Sequence, residues 1–288
     1  MRNLIFWFFL TSALSPFTAS STILHDDLRC MPVLIQIPLP DGIHSSYGTG
    51  VYLSDSNRLF LVTAAHVIFD LTNAPNTLIN SNAILSSCVR GSNLNDRAVL
   101  SLDLKILSGK GLLKHHPSRD IAAIPIATFN QTTNFERSGI LSPGVEWRSN
   151  SKVVPWSANE VCKKFSNVLC GDDAYILGYP VSLFVRNRYE DIDLSEPLVR
   201  KGIVSQKNQK SGRLIVDSAV YHGNSGGPAL TSDQTPGAPN LRLAGVVIKY
   251  VPVVTDVDPG IGVTNSAFVN SGYGVVEPID YALELIRQ

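Results

Sequence analysis

Gly223-Asn224-Ser225-Gly226-Gly227-Pro228 is the stretch on which the reading of this 288-residue chain turns. A serine flanked by glycines marks a sharp bend, because glycine adopts the φ > 0 conformations that other residues resist. Such a bend can aim the amide N–H groups of Gly223 and Ser225 at one point. Two converging donors are what an oxyanion needs when an acyl group is transferred. The stretch also fits the G-x-S-x-G turn of an open α/β sheet, where an acidic residue and then a histidine follow the serine. The chain's histidines are His25, His44, His66, His115, His116 and His222, so none follows Ser225. The α/β reading fails for want of a base, and the base has to come from upstream.

His66 closes Thr63-Ala64-Ala65-His66, directly after the apolar run Leu59-Phe60-Leu61-Val62. A histidine at a strand end, beside small residues, is placed to project into a cleft. His25, His44, His115 and His116 read as solvated or otherwise satisfied side chains. Asp120 stands at the mouth of the charge-free run Ile121-Ala122-Ala123-Ile124. A carboxylate held there, away from water, fixes an imidazole tautomer and stabilises the imidazolium. Asp96 and Asp103 compete for that role. Working outward from Ser225, the order is therefore His66, Asp120, Ser225.

The rest of the chain suits an all-β frame. Helical periodicity is scarce. Short β-branched runs such as Val33-Leu34-Ile35-Gln36-Ile37 and Leu214-Ile215-Val216 alternate with Gly, Pro, Asn and Asp, the pattern of an antiparallel sandwich or barrel. The polar stretch 130–173 divides two strand-rich halves and reads as a connection with an insertion. Pro278-Ile279-Asp280 opens a C-terminal helix, with Asp280 as its N-cap. Lys+Arg and Asp+Glu both count 24, so no basic excess speaks for nucleic acid or a charged membrane surface.

Residues 1–20 have the layout of a cleaved export leader: a charged start, an apolar run over 4–10, and Thr18-Ala19-Ser20 as a cleavage signal. That run is too short for a membrane span, and no later segment is long and apolar enough for one. Export, to the periplasm or outside the cell, permits disulfides. Four cysteines allow three pairings. The short loop between Cys162 and Cys170 favours joining those two, leaving Cys30 with Cys88. No C-x-x-C or Cys/His cluster indicates a metal, and no organic cofactor is implied.

The segments TAAHV around His66, RDIAAI around Asp120 and GNSGGPAL around Ser225 resemble the three signature segments of trypsin-like serine peptidases, in the same chain order. Gly178-Tyr179-Pro180, Lys201-Gly202-Ile203-Val204-Ser205 and Tyr273-Gly274-Val275-Val276-Glu277-Pro278-Ile279 resemble the bacterial HtrA-like branch, here without a PDZ domain. The resemblance implies a chymotrypsin-like fold of two six-stranded antiparallel β-barrels: the first over about 30–129, the connection over 130–173, and the second with the helix over 174–288. The active site would lie between the barrels, with His66, Asp120 and Ser225 as the triad and the Gly223 and Ser225 amides as the oxyanion hole. Protein or peptide substrates follow.

Two departures bear on activation and specificity. The sequence lacks the zymogen signal of trypsin itself, and position 224 is Asn where an activating N-terminus would need Asp. The place of trypsin's selective carboxylate is Ala219, so a basic P1 residue is not favoured by that route. Ala219, Val220 and Tyr221 suggest a small or apolar pocket, with His222 at its entrance and Lys249 on a flanking strand. Two other functions fit the same residues: a catalytically silent, protease-like binding module, and an esterase using the same triad.

Overall fold

The computed structural model describes residues 26–39, 41–72, 77–89, 96–129, 139–150, 153, 155–180, 193, 196–233, 241–257 and 265–288. The leader reading at 1–20 lies outside them. The elements of the first half are β1 (Pro32–Pro38), β2 (Ser45–Asp55), β3 (Arg58–Thr63), α1 (Ala65–Ile68), β4 (Phe69–Asp70), β5 (Thr77–Leu78), β6 (Asn82–Cys88), β7 (Arg97–Asp103), α2 (Leu104–Gly109), β8 (Lys114–His115) and β9 (Ala122–Thr128). The connection supplies β10 (Ile140–Leu141), β11 (Val145–Trp147), β12 (Trp156–Ser157) and α3 (Ala158–Val161). The second half holds β13 (Asp173–Gly178), β14 (Leu198–Asn208), β15 (Arg213–Asp217), β16 (Pro228–Ser232), β17 (Leu241–Val257), β18 (Asn265–Pro278) and α4 (Asp280–Ile286).

The second half forms a closed six-stranded barrel, β13-β14-β15-β18-β17-β16. The first half forms a curled sheet in the order β10-β9-β3-β2-β1-β6-β7-β11, with β8 on β9 and β12 parallel to β2. The chymotrypsin-like, all-β architecture is therefore present, but the first unit corrects the expectation of a closed six-stranded barrel. Its two edges do not meet among the described residues, because segments of the connection occupy them: β11 pairs with β7, and β10 with β9.

The strands that face each other across the two units explain why their sequences read as unbroken apolar runs. In β3, Leu59 and Leu61 enter the core of the first sheet, while Phe60 and Val62 enter a second cluster between the halves. In β13, Ala174 and Ile176 fill the barrel, while Tyr175 and Leu177 turn to the same middle cluster. A strand buried on both faces has no polar alternation to show. Ile279, at the cap of α4, and Ala282, Leu285 and Ile286 within it complete that layer, so the C-terminal helix joins the two halves.

Two local expectations are corrected. Cys30 and Cys88 form a disulfide, as expected, but Cys162 and Cys170 are free thiols. Cys162 is buried in the middle cluster and bridged in parallel to Leu243, whereas Cys170 is exposed, so the two thiols face opposite environments. The loop between them is closed instead by charge. Lys163 Nζ donates to Asp172 Oδ2 at 2.9 Å and to the Ser232 carbonyl, with Lys163 and Asp172 both buried. Nor is Asp280 the helix cap. Ile279 takes that position, and Asp280 Oδ2 accepts the Phe165 N–H at 2.8 Å, tying the helix to the same loop.

Candidate active site

Strand pairing brings His66 and Asp120 together. β3 and β9 are antiparallel with Thr63 opposite Ala122. Three residues beyond Thr63 and two before Ala122 therefore leave the same end of the pair, and those residues are His66 and Asp120. The single turn α1 swings the imidazole outward while Ala64, Ala65 and Ile68 stay buried. Asp120 Oδ2 lies 2.7 Å from His66 Nδ1, and Asp120 Oδ1 accepts the His66 backbone N–H at 3.0 Å.

Both carboxylate oxygens are thus spent on one residue, which fixes the ring's position and its tautomer. With a carboxylate at Nδ1, the neutral ring carries its proton there and leaves the Nε2 lone pair free. Burial raises the Asp120 pKa, but the hydrogen bonds and charge of His66, with Arg213 adding to them, outweigh it and hold the group below its ordinary value. Asp120 is ionised at neutral pH.

The Ser225 turn belongs to the second barrel and is closed by its own side chain. Asn224 Oδ1 accepts the Tyr221 N–H at 3.0 Å, and the Asn224 N–H donates to the Tyr221 carbonyl at 2.9 Å. Gly223 and Gly226 take φ of 97° and 82°, the left-handed region that glycine tolerates. At Gly226 the constraint is also steric: a Cβ would sit 2.0 Å from the Thr49 carbonyl and 2.1 Å from Thr63 Oγ1. The turn therefore lies directly on the strand ends that lead to His66. Its back is tied to β17 by Gly226 N–H to Val247 O and Val247 N–H to Gly227 O.

Thr49 is the residue sequence reasoning missed. It is wholly buried in β2, yet it binds the second half at three points, two on the Ser225 turn and one just after β13. Its N–H donates to the Ser225 carbonyl at 2.7 Å, its Oγ1 donates to the Gly223 carbonyl at 2.6 Å, and Oγ1 accepts the Tyr179 N–H at 3.1 Å. Thr63 Oγ1 in turn donates to the Thr49 carbonyl at 2.7 Å. The available signal was Gly48-Thr49-Gly50, a polar residue between two glycines inside an apolar strand. Those glycines admit Val67 and Leu61, whose side chains would lie 2.5 Å and 2.7 Å from an added Cβ.

With their carbonyls engaged, the Gly223 and Ser225 amides donate to no acceptor among the described residues, and the Ser225 hydroxyl makes no hydrogen bond there. Of the candidate pocket residues, Ala219 and Tyr221 are half-buried, whereas His222 and Lys249 are exposed. Arg200 lies over the Tyr221 ring at 4.5 Å, and the His222 ring meets Tyr250 edge-on at 6.0 Å. Val220, between them, is buried, and its carbonyl accepts Asn270 Nδ2 at 2.6 Å. The Asp103 carboxylate caps α2 by accepting the Ile106 N–H at 2.8 Å. No group of three metal-binding side chains occurs among the described residues, and no described helix is long and apolar enough to cross a membrane.

A family model described as a trypsin-like peptidase domain matches residues 48–235. No curated protein matches the chain. Among solved structures the chain is similar to a serine endoprotease from Yersinia pestis, at 16% identity and a TM-score of 0.46, covering 92% of this chain and 67% of that one. It is also similar to the HtrA-type protease AlgW with a tripeptide, at 17% identity and a TM-score of 0.44, covering 90% of this chain and 60% of that one. The chain thus spans about two thirds or less of the length of these proteins.

Proposed function

The chain belongs to the trypsin-like peptidase family and is on that ground a serine endopeptidase, and we propose that His66, Asp120 and Ser225 are its catalytic triad. The observation that carries this reading is the doubly bonded Asp120–His66 pair at the end of β3 and β9, on which the Ser225 turn is seated through Thr49 and Gly226.

Ser225 Oγ attacks the carbonyl carbon of the scissile peptide bond while His66 Nε2 takes the hydroxyl proton. Asp120 keeps the ring in the competent tautomer and balances the imidazolium that forms. The carbonyl oxygen becomes an oxyanion and accepts the Gly223 and Ser225 N–H groups, which have no competing partner among the described residues. As the tetrahedral intermediate collapses, His66 gives its proton to the leaving nitrogen. The C–N bond breaks, and the acyl group stays on Ser225 as an ester. Water then attacks the ester with His66 again as base, and the released Ser225 oxygen recovers its proton from the ring.

For specificity, Ala219 and Tyr221 would line a pocket for a small or apolar side chain. The exposed His222 and Lys249 would act at its rim. For location, the leader-like residues 1–20 and the Cys30–Cys88 disulfide support export to an oxidising compartment. N-terminal sequencing of the protein recovered from producing cells should begin near residue 21, and an intact Met1 on protein kept in the cytosol would sink that part.

The direct test of the chemistry is intact-mass analysis after treatment with diisopropyl fluorophosphate, on the wild type and on Ser225→Ala. One adduct on the wild type and none on the variant is expected. An adduct on the folded variant, or none on the folded wild type, would refute the nucleophile assignment. Cleavage of unstructured protein substrates by the labelled-competent enzyme separates a peptidase from an esterase.

A further inference from the structure

Asp120 sits in a loop that is also tied to the second barrel. Its neighbour Arg119 reaches across to the second barrel. There Arg119 Nη1 donates to the Ser211 carbonyl and lies 3.5 Å from Glu277 Oε1, while its guanidinium covers the Tyr281 ring at 4.3 Å. Glu277 is completely buried in β18, and its other oxygen accepts Arg213 Nε at 3.0 Å. The seat is shaped for the arginine: at Gly212, with φ of 65°, a Cβ would lie 3.0 Å from both Arg119 Nη2 and Tyr281 Oη. On its N-terminal side the Asp120 loop is held by the His116 N–H to the Ile121 carbonyl at 2.9 Å, and by His116 Nε2 at 3.4 Å from Glu284 of α4.

Buried ion pairs are poor stabilisers, since apolar residues of similar volume usually do as well or better. A fully buried carboxylate holding two guanidinium groups therefore calls for a geometric explanation. Glu277 pairs across the sheet with Val246, and the next residue, Val247, exchanges both hydrogen bonds with the Ser225 turn. One strand pair of the second barrel thus carries the nucleophile turn on one side and, through Glu277, the Asp120 loop on the other.

We propose that Glu277 and Arg119 are positioning residues, which register the Asp120 loop of the first sheet against the second barrel and so set the Asp120–His66 geometry relative to Ser225. The proposal rests on the reading of Asp120 as the residue that orients His66. Arg119 makes both polar contacts through Nη1 while its planar guanidinium covers the Tyr281 ring, a combination of which lysine's compact ammonium supplies only the charge. Small displacements at such a junction are costly: a shift of about 1 Å lowers turnover by around a hundredfold.

The test compares Glu277→Gln, Arg119→Gln and Arg119→Lys with Asp120→Asn. It reads kcat and KM on a peptide that the wild type cleaves, the rate of inactivation by diisopropyl fluorophosphate, and the thermal midpoint. Glu277→Gln and Arg119→Gln are expected to lower kcat by about 10- to 100-fold. KM should stay within about threefold, and the inactivation rate should fall in parallel. Arg119→Lys should recover only part of the loss. Wild-type kcat and inactivation rates in both glutamine variants, with Asp120→Asn still impaired, would overturn the proposal and leave the triad standing. A change confined to KM or to the thermal midpoint would overturn it too, because it would reveal a structural role alone. An active Asp120→Asn enzyme would instead remove the triad reading and the proposal with it. Should Glu277→Gln fail to fold, Arg119→Gln, at a partly exposed position, decides the matter alone.

Discussion

Replacing Thr49 by valine keeps the side chain's volume and removes one oxygen. That oxygen serves two buried partners, the Gly223 carbonyl at 2.6 Å and the Tyr179 N–H at 3.1 Å. Each would be left buried and unpaired, at a cost of about 1–3 kcal/mol apiece. Relaxation and entry of water recover part of this, so a loss of about 2–4 kcal/mol of stability is expected. The chemistry should suffer separately. The Gly223 carbonyl anchors the peptide next to the Gly223 N–H, and misplacing one oxyanion donor costs up to about a hundred- to a thousandfold in kcat. Since Thr49→Val loosens that donor without deleting it, a kcat loss of about 10- to 100-fold is expected, with KM little changed. Thr49→Ser, which keeps the oxygen, should retain most of both. Urea unfolding and steady-state peptide hydrolysis measure the two effects independently. A Thr49→Val enzyme with wild-type kcat would show that the clamp does not position the turn. One with wild-type stability would show that the two partners find other bonds.

Asp120→Asn should lower kcat by about ten thousandfold, the loss that follows when a serine protease's histidine is left in the wrong tautomer. Asp103→Asn should leave kcat alone and cost no more than about 1 kcal/mol as a weakened helix cap; the opposite ranking in kcat would reassign the orienter. Because the folded state holds the Asp120 pKa below its ordinary value, the group contributes stability that is complete above that ordinary value, about 3.9. The contribution disappears as pH falls through the folded value. The acid limb of unfolding free energy against pH should therefore be shallower in Asp120→Asn than in the wild type, and identical limbs would contradict the depressed pKa. Iodoacetamide should alkylate Cys170 in the native protein and Cys162 only after unfolding, since Cys162 is buried and its thiol is pushed up to about 12. Rapid native labelling of both, or of neither, would contradict the free and opposed thiols. Reduction of Cys30–Cys88, which closes a span of 58 residues, should cost up to about 4 kcal/mol, and a thermal midpoint unmoved by reductant would count against that.

Local sequence carried the strand-rich architecture because strands advertise themselves by composition: short β-branched runs between turn residues. It singled out His66, Asp120 and Ser225 as candidates because each sits at a strand end or a glycine turn, where the chain must leave the sheet. Unbroken apolar runs such as Leu59-Phe60-Leu61-Val62 marked buried strands without telling which residue faced which core. The division of Phe60 and Val62 from Leu59 and Leu61 appears only once two hydrophobic clusters exist.

Other features were decided entirely by partners distant in sequence. Thr49, though set apart by its flanking glycines, shows no partner until the turn 174 residues away lies on it. Glu277 becomes a buried anchor only when Arg119 and Arg213 converge on it from both halves. The short spacing of Cys162 and Cys170 suggested a bridge, but a disulfide needs two side chains that face each other. The packing of Cys162 against β17 and the Lys163–Asp172 pair settled that they do not. Among the described residues the first sheet curls without closing for a similar reason, since β10 and β11 of the connection pair with its edges. Chain order, glycine turns and strand ends are local properties, so the strand content and the three candidate residues can be read along the chain. Clamps, buried charges and edge pairing are satisfied by groups remote along the chain, so they emerge only when the fold brings those groups together.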